Sequence, residues 1–420
     1  MIILAETKNK HSMIVFISQI KNKQLFPLVE NRPAALFQVA GKTIAEWFYE
    51  IGKNHGVEKV ILLADKDDRK LLYDALRDYQ EVSAPINEIG PFTIIDFDPV
   101  KGITKELQDT LHEGLLTKNS IWLDGNVIFS SAFLDEFMGK AEGTGKIALV
   151  ENDDEKKECL GLGYFDKKFL DSSTLNAKCV NDILTKVRNQ TRSLTQTLVF
   201  EEEKMEFWQI NYLWNLLDAN QVLINNIEES KEGTIEKGAT IIGKVSIGEG
   251  TRIRAGSYLE GPLAIGKNCN IGPNCYIRKG VSLGNKVRIG NGCELKNTIV
   301  FDGTHIAHLS YVGDSIIGID CNFGAGTITG NLRLDDKTVK AEVDGKVTST
   351  RRRKIGVIMG DNVKTAIDVF FMPGVIVGNN SAIGTGVIVN RNIGSNLFVH
   401  ITQETSSQKW IVEPKKKKKG

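Results

Sequence analysis

Aliphatic residues recur every six positions through the second half of the chain. This register is unbroken over eleven residues: Ile235, Ile241, Ile247, Ile253, Leu259, Ile265, Ile271, Ile277, Leu283, Ile289 and Leu295. An α-helix needs apolar spacing near 3.6 residues and a half-buried strand a spacing of 2, so neither explains a period of six. A β-solenoid does, because each unit supplies one strand and one corner, and three units complete a triangular coil.

The same register predicts where the solenoid continues. The aliphatic or aromatic position returns at Tyr311, Ile317, Phe323, Phe371, Val377, Ile383 and Val389. The residue four places after such a position must fit a tight corner. Four of the six cysteines stand there: Cys269, Cys275, Cys293 and Cys321. Because the chain has no C-x-x-C pair, we interpret these cysteines as small buried apolar side chains rather than metal ligands.

Two segments of the solenoid exceed what a repeat requires. Residues 308–314 spell His-Leu-Ser-Tyr-Val-Gly-Asp, and residues 322–331 spell Asn-Phe-Gly-Ala-Gly-Thr-Ile-Thr-Gly-Asn. The repeats resemble those of hexapeptide acyltransferases. The two segments resemble the acetyltransferase signature of the archaeal and bacterial family of bifunctional glucosamine-1-phosphate N-acetyltransferases and sugar-phosphate nucleotidyltransferases. This resemblance implies a left-handed parallel β-helix, a homotrimer with sites between neighbouring prisms, and acetyl-CoA as co-substrate.

Acetylation of an amine defines the side chains to look for. A base must remove the proton of the ammonium group, and histidine has a suitable pKa, so we predict that His308 is the general base. The family signature places Tyr311 and Asn331 beside it as catalytic residues, and Asn322 as a substrate ligand. A sugar phosphate also needs cationic partners. The resemblance implies Arg278 and Lys296, on earlier coils, for this role.

The resemblance also assigns residues further from the signature. Lys337 and Lys340 lie on a long insertion, residues 332–354, and are expected to bind substrate, reaching a neighbouring subunit. Ala325 and Arg391 are expected to contact acetyl-CoA. We expect no metal site, and no Mg²⁺ requirement for acetyl transfer. The sequence does not distinguish a glucosamine from a galactosamine phosphate, because one hydroxyl epimer depends on pocket geometry.

The first half of the chain has a different rhythm. Apolar runs at 13–17, 59–64, 92–97, 121–123 and 146–151 alternate with helical patterns at 44–53, 67–78, 105–115 and 131–140. This alternation predicts a doubly wound α/β sheet. We therefore divide the chain into an α/β domain (1–206), a connector helix (207–230), the solenoid (231–405) and a basic tail (406–420).

The α/β domain resembles sugar-phosphate nucleotidyltransferases through residues 26–36, Phe-Pro-Leu-Val-Glu-Asn-Arg-Pro-Ala-Ala-Leu. It departs from that family where phosphate and metal are bound. The glycine-rich loop is replaced by residues 20–25, and Ala34 replaces the lysine that follows Arg-Pro. Asn126 and Gln209 stand where the family has metal-binding carboxylates, and neutral amides are poor Mg²⁺ ligands. We predict a degenerate domain without nucleotidyl transfer.

Composition adds limits of its own. The formal net charge of +1 over 420 residues indicates neither a nucleic-acid nor a membrane partner. No apolar run approaches the roughly 20 residues of a membrane span, and residues 1–10 lack the pattern of a secretory signal, so we expect a cytoplasmic protein. The leading hypothesis is an acetyl-CoA-dependent amino sugar-1-phosphate N-acetyltransferase in UDP-N-acetylhexosamine biosynthesis. The alternatives are an enzyme that also transfers uridylyl groups, and a non-catalytic regulatory or scaffold subunit.

Overall fold

The computed structural model describes residues 13–17, 22–57, 59–77, 88–89, 91–97, 109, 120–142, 147–151, 159–165, 195–199 and 206–410. Apart from Asp109, which is helical, the predicted helix at 105–115 lies outside the described residues. The basic tail lies outside them from residue 411 onward.

A mixed sheet of eight strands forms the centre of the first domain. In spatial order its strands are Thr195–Val199, Ile147–Glu151, Cys159–Phe165, Ser120–Asp124, Met13–Ile17, Lys59–Ala64, Phe92–Asp96 and Glu88–Ile89. Ser120–Asp124, Met13–Ile17, Lys59–Ala64 and Phe92–Asp96 run parallel. Because the last of these in sequence lies beside the first, they have the 3-2-1-4 order of a doubly wound sheet. The predicted α/β domain is confirmed.

Three described helices flank this sheet, at Ile44–Lys53, Lys66–Leu76 and Ser131–Glu142. The first begins at a capping box, in which Thr43 accepts from the Glu46 amide and the Glu46 carboxylate accepts from the Thr43 amide. Shorter elements of this domain are the 3₁₀ turns Lys23–Leu25, Leu28–Glu30 and Ala34–Leu36, and the paired strands Gln38–Val39 and Lys42–Thr43.

The connector differs from its prediction. It is α-helical only at Asn215–Leu223. Phe207–Gln209 is instead a strand that pairs antiparallel with Val127–Phe129. The pairing explains the difference, because the aromatic residue Phe207 is taken into the core of the first domain, where it lies 5.1 Å from the ring of Phe133.

The second half is a parallel β-helix with three faces, which confirms the predicted fold class. The docked face contacts the first domain and comprises Ser230–Lys231, Val245–Ile247, Leu263–Ile265, Val281–Leu283, Ile299–Val300, Ile316–Ile317, Ile358–Met359 and Ile376–Val377. The histidine face comprises Thr234–Ile235, Arg252–Ile253, Asn270–Ile271, Arg288–Asn291, His305–His308, Asn322–Phe323, Lys364–Thr365, Ala382–Ile383 and Phe398–Val399. The tyrosine face comprises Thr240–Ile242, Tyr258–Glu260, Tyr276–Ile277, Glu294–Lys296, Tyr311–Gly313, Ile328–Thr329, Phe370–Phe371 and Ile388–Val389.

The inward column of the prism follows the six-residue register with one correction. Tyr311 does not point into the prism: Val312 occupies that position, pairs with Leu295 and is fully buried. The reason is a five-residue step at one corner, between Leu295 and Val300, which shifts the register by one. A second five-residue step leads from Val312 to Ile317. This shift turns Tyr311 outward.

The corners are built by residues in the left-handed region. Asn268, Asn274, Asp314 and Asp320 have φ between +50° and +56°, which their short polar side chains tolerate. The four predicted corner cysteines are buried and unbridged. Burial raises the pKa of the Cys269 and Cys275 thiols to about 11 and that of Cys321 to about 12.

The first domain covers the docked face. The outward residues of that face are mostly apolar and almost fully buried: Ala264, Ile299, Ile316, Ile358 and Ile376. They share one hydrophobic core with the first domain and with Val339, Ala341 and Val343 of the insertion. Within the insertion, Lys340–Val343 and Lys346–Ser349 form an antiparallel hairpin. The insertion is therefore a structural part of the junction between the two domains.

Candidate functional site

The corner between the histidine and tyrosine faces holds the two central residues of the signature. His308 ends the strand His305–His308, and Tyr311 begins the strand Tyr311–Gly313. Leu309 makes the corner between them with φ +47°, a conformation that is unusual for leucine. The His308 side chain is exposed. Its backbone carbonyl accepts from the Ser310 hydroxyl at 2.7 Å. This hydrogen bond stabilises the corner and leaves the imidazole accessible to solvent.

Asp314 follows the strand Tyr311–Gly313 and binds two asparagine side chains. Its carboxylate accepts from Asn331 Nδ2 at 2.6 Å and from Asn297 Nδ2 at 2.7 Å, and its backbone N–H donates to Lys296 O. The residue is only 3% exposed. A buried carboxylate needs such partners. Sequence analysis did not select Asp314, although it ends the signature segment 308–314.

The same amide of Asn331 also donates to Tyr311 Oη at 3.1 Å. Burial raises the pKa of the Tyr311 phenol, and the Asp314 carboxylate raises it further. The phenol therefore keeps its proton. A Cβ atom at Gly313 would lie 2.4 Å from Tyr311 Oη and 2.8 Å from Asn331 Nδ2. Glycine at this position is what allows the two side chains to meet.

Two cations adjoin this network. Lys296 Nζ lies 3.7 Å from Asp314 Oδ2. Burial lowers the pKa of Lys296, Asp314 opposes that change, and the charge of Lys354 lowers the pKa again. Lys296 and Lys354 line a cleft of about 670 Å³ with Lys279 and Asp314. Arg278 pairs with Glu294 at 3.0 Å, which raises the pKa of the guanidinium group.

The remaining predicted residues spread along the prism. Ala325 occupies the coil next to His308, and Gly326 N–H donates to His308 O at 3.3 Å. Arg391 continues the column of Asp314 and Asn331, three coils or about 14 Å beyond Asp314 at the usual strand spacing. This column defines a line along the prism axis.

Asn322, Lys337 and Lys340 do not join the network in this chain. Asn322 pairs with His305 on the histidine face and lines a separate cavity of about 780 Å³ with Lys364 and His400. Lys337 and Lys340 are exposed on the insertion. Because the hairpin packs against the first domain and the docked face, both lysines lie outside the hydrogen-bonded cluster of Asp314.

The replaced residues of the first domain do come together. Ile210 N–H donates to Asn126 O at 2.6 Å, and Asn126 Nδ2 donates to Ile210 O at 3.2 Å, which places Asn126 beside Gln209. Asp124 is buried at the carboxyl end of its strand, opposite Ile17. Over the described residues, no group of three or more histidine, cysteine or acidic side chains is arranged to hold a metal ion. The amide pair does not fit a Mg²⁺ ion.

The segment that resembles the nucleotidyltransferase motif contacts the solenoid. Arg32 is 7% exposed and forms an ion pair with Asp361, and Asn31 donates to the same carboxylate at 2.7 Å. Asn379 donates to Pro27 O at 2.8 Å and to Glu30 at 2.7 Å. In this chain the motif therefore forms part of the contact between the domains.

Comparison with known proteins finds relatives that match this chain along both of its domains. A relative from Methanococcus maripaludis named bifunctional protein GlmU is 40% identical over 402 residues, which cover 91% of this chain and 96% of the relative. The chain belongs to the GlmU family. A GlmU from Methanocaldococcus jannaschii is 36% identical over 423 residues, covering 91% of this chain and 96% of that relative.

Two further matches are shorter. A bifunctional sugar-1-phosphate nucleotidylyltransferase/acetyltransferase from Sulfurisphaera tokodaii is 44% identical over 197 residues, covering 46% of this chain and 49% of the relative. The profile described as GMPPB C-terminal domain matches residues 259–372. GlmU membership is in keeping with the left-handed β-helix expected from the hexapeptide repeats. Among the described residues, none of the helices has the length and apolar character to cross a membrane.

Proposed function

We propose that this GlmU relative transfers the acetyl group of acetyl-CoA to the amino group of an amino sugar 1-phosphate. The observation that carries the proposal is the network in which Asp314 and Tyr311 hold Asn331, directly after the corner that presents His308. The names of the relatives include an acetyltransferase. A solenoid that served only as a scaffold would not need a buried carboxylate tied to an asparagine, a tyrosine and a lysine.

In this mechanism His308 takes the proton that the amine loses as its nitrogen attacks the thioester carbonyl. The C–N bond forms, the C–S bond breaks, and the protonated imidazole returns a proton to the leaving thiolate. The exposed imidazole suits this role because it is open to both substrates. Tyr311 accepts from Asn331 and keeps its own hydroxyl hydrogen, which is available to donate to a substrate oxygen.

Lys296 supplies positive charge for the phosphate group of the sugar. Lys296 is half-buried, and Lys279 and Lys354 line the same cleft. Asp314 is the one acidic residue of that lining, so the cleft carries a net positive charge. Arg278 is the second cation in this assignment. Because Arg278 pairs with Glu294 in the free protein, phosphate binding requires that it exchange or share this partner. Asn322, Lys337 and Lys340 are proposed as further substrate ligands on the family resemblance alone, since none of them joins the Asp314 network in this chain.

The column from Asp314 to Arg391 suggests how acetyl-CoA lies. CoA is long and anionic, and a row along the prism axis from Ala325 towards Arg391 would follow its length. The cation at the far end would contact a phosphate of CoA. This chemistry requires no metal ion.

We further propose a homotrimer packed through the tyrosine face. Five outward apolar residues of that face are exposed, Ile242, Tyr258, Tyr276, Phe370 and Ile388. The matching column of the docked face is covered by the first domain. A prism with one covered face and one open apolar face is suited to closed cyclic assembly. Lys337 and Lys340 would then act on a neighbouring subunit. A monomer by light scattering in an active sample would contradict this assignment.

The proposal is tested by thiol release from acetyl-CoA with glucosamine 1-phosphate and galactosamine 1-phosphate as acceptors. We expect acceptor-dependent release with at least one of them, in the presence of EDTA. The free amino sugars without phosphate are the matched controls and should react much more slowly. The absence of release with both phosphates, in protein of native circular dichroism, would favour a non-catalytic subunit.

We propose that the first domain has lost nucleotidyl transfer. Asn126 and Gln209 provide amides at the metal positions, and Arg32 is occupied by Asp361. The alternative is a bifunctional enzyme, which the names of the relatives favour. Pyrophosphate release from UTP with Mg²⁺ and an N-acetylhexosamine 1-phosphate distinguishes the two.

A further inference from the structure

A second cleft lies between the first domain and the insertion, away from His308. One wall is the segment 207–218, which contributes Trp208, Tyr212 and Trp214. The other is the end of the hairpin, which contributes Arg351 and Arg352. The cleft encloses about 730 Å³, a volume typical of small-molecule sites. Nothing in the proposed acetyl transfer uses it.

The aromatic wall contains a stacked pair of rings. The rings of Tyr212 and Trp214 stack with centroids 4.5 Å apart and an interplanar angle of 5°. Trp214 is buried, whereas Trp208 and Tyr212 are half-buried. Beside them are the amides of Gln209 and Asn211, which bond to each other at 3.2 Å. Flat aromatic faces bordered by amide groups are suited to a heterocyclic base, which offers a ring for stacking and polar edges for hydrogen bonds.

The opposite wall is cationic. Arg352 forms an ion pair with Asp218, the one acidic side chain of the cleft lining. Its Nε is buried without a hydrogen-bond partner. Arg351 is exposed, has φ +56°, and makes no ion pair with a described residue. An exposed guanidinium group at the rim of a cleft, without an anionic partner, is suited to phosphate.

From this juxtaposition we propose that the cleft binds a nucleoside phosphate, with the base against the aromatic wall and a phosphate at Arg351, without a divalent metal ion. The single carboxylate of the lining is already paired with Arg352, so the Arg351 guanidinium group is the available counter-charge. The same chemistry is offered by a free uridine nucleotide or nucleotide sugar and by the adenosine phosphate part of CoA. The experiment separates these sources.

The test is isothermal titration of the full-length protein in EDTA. The probes are UMP and UDP-N-acetylglucosamine for the uridine source, and adenosine 3′,5′-bisphosphate for the CoA source. Uridine and inorganic phosphate report on the base and the anion alone. We expect at least one nucleotide to bind at least tenfold more tightly than either fragment. A uridine or an adenosine preference assigns the source.

Two arginines of the insertion supply a matched pair of variants. Arg351→Asn removes the charge but keeps a residue that tolerates positive φ, and should weaken nucleotide binding at least tenfold. Arg333→Asn is the control, because Arg333 lies outside the linings of both clefts and pairs with Asp335, and nucleotide affinity should be unchanged in this variant. Tyr212→Leu should weaken nucleotides but not inorganic phosphate. Circular dichroism verifies that each variant is folded.

Four results would overturn the proposal. The first three are nucleotide affinity that is unchanged by Arg351→Asn, binding that requires Mg²⁺, and inorganic phosphate binding as tightly as every nucleotide. No measurable binding of any nucleotide at millimolar concentration would overturn it as well.

Discussion

The solenoid and the described part of the first domain both have the predicted architecture, but the residues of their family motifs make different contacts. In the solenoid, the signature residue Asn331 donates hydrogen bonds to both Tyr311 and Asp314. In the first domain, Asn126 lies beside Gln209, and Arg32 is buried against Asp361. The doubly wound sheet does not depend on those positions. Architecture and site are therefore separable within one chain.

The largest contrast we expect is between the two activities. Acetyl transfer should be readily measured, whereas pyrophosphate release with each nucleoside triphosphate and Mg²⁺ should stay at background. The physical reason is that phosphoryl chemistry depends on charge neutralisation by the metal and cationic side chains, and amides occupy both metal positions. The double variant Asn126→Asp, Gln209→Asp should also remain inactive, because the glycine-rich loop is still missing. Turnover by the unmodified chain at the rate of acetyl transfer would remove the contrast.

Within the solenoid, His308→Ala should lower kcat of acetyl transfer by roughly 10²- to 10⁴-fold, the usual contribution of a positioned general base. The thermal midpoint should hardly change, because the side chain is exposed and outside the prism core. His305→Ala is the matched control, since His305 is also exposed on the same strand, and should retain most activity. A near-normal kcat for His308→Ala would mean that another group is the base.

Gly313→Ala tests whether the network itself matters. The new Cβ would lie within 3 Å of Tyr311 Oη and Asn331 Nδ2, so the two side chains must separate. We expect a loss of roughly tenfold to a hundredfold in kcat/KM, the value of one or two misplaced hydrogen bonds. Gly330→Ala on the next coil is the control. The atom nearest to its new Cβ would be Phe371 O, at 3.1 Å. Equal activity of both variants would show that the Tyr311 and Asn331 contact is dispensable.

How far the sequence predicts this molecule differs between its parts. The six-residue period predicts the prism because each inward side chain is fixed by the strand and corner geometry. It misplaces Tyr311, since Val300 and Phe301 are both apolar and the pattern therefore does not locate the one-residue contraction at that corner. It also does not show that the first domain covers the docked face, although the outward residues Ile299, Ile316 and Ile358 are apolar. Contacts between domains depend on shape as well as on composition.

The site shows the same division. The signature identifies His308, Tyr311 and Asn331, but not the role of Asp314, because a single aspartate at a corner is typical of the repeat itself. The hairpin at Lys340–Val343 and Lys346–Ser349 was not predicted. Its apolar residues alternate over too few positions to distinguish a hairpin from a solvated loop.

The remaining expected effect concerns the stability of the prism at high pH. Burial raises the pKa of Cys269 and Cys275 to about 11 and that of Cys321 to about 12, from an ordinary value near 9. Above pH 9 the unfolded chain loses these protons while the folded chain keeps them. The free energy of unfolding therefore falls as the pH rises, by up to about 1.4 kcal/mol per pH unit for each thiol, until the pKa of the folded state is reached.

Cys321→Ser separates this effect from others at alkaline pH. The Cys321 thiol donates to Gly360 O at 3.1 Å. Thr304 occupies the equivalent corner of the preceding coil, and its hydroxyl donates to Gly318 O at 2.7 Å. A hydroxyl is therefore compatible with such a corner. Serine does not ionise in this pH range. The slope of the free energy of unfolding against pH, between pH 9 and 11, should therefore correspond to one proton fewer in the variant. Denaturant titrations at half-unit steps measure that slope. An unchanged slope would show that the Cys321 thiol does not contribute, and that the pH sensitivity of the solenoid arises from other groups.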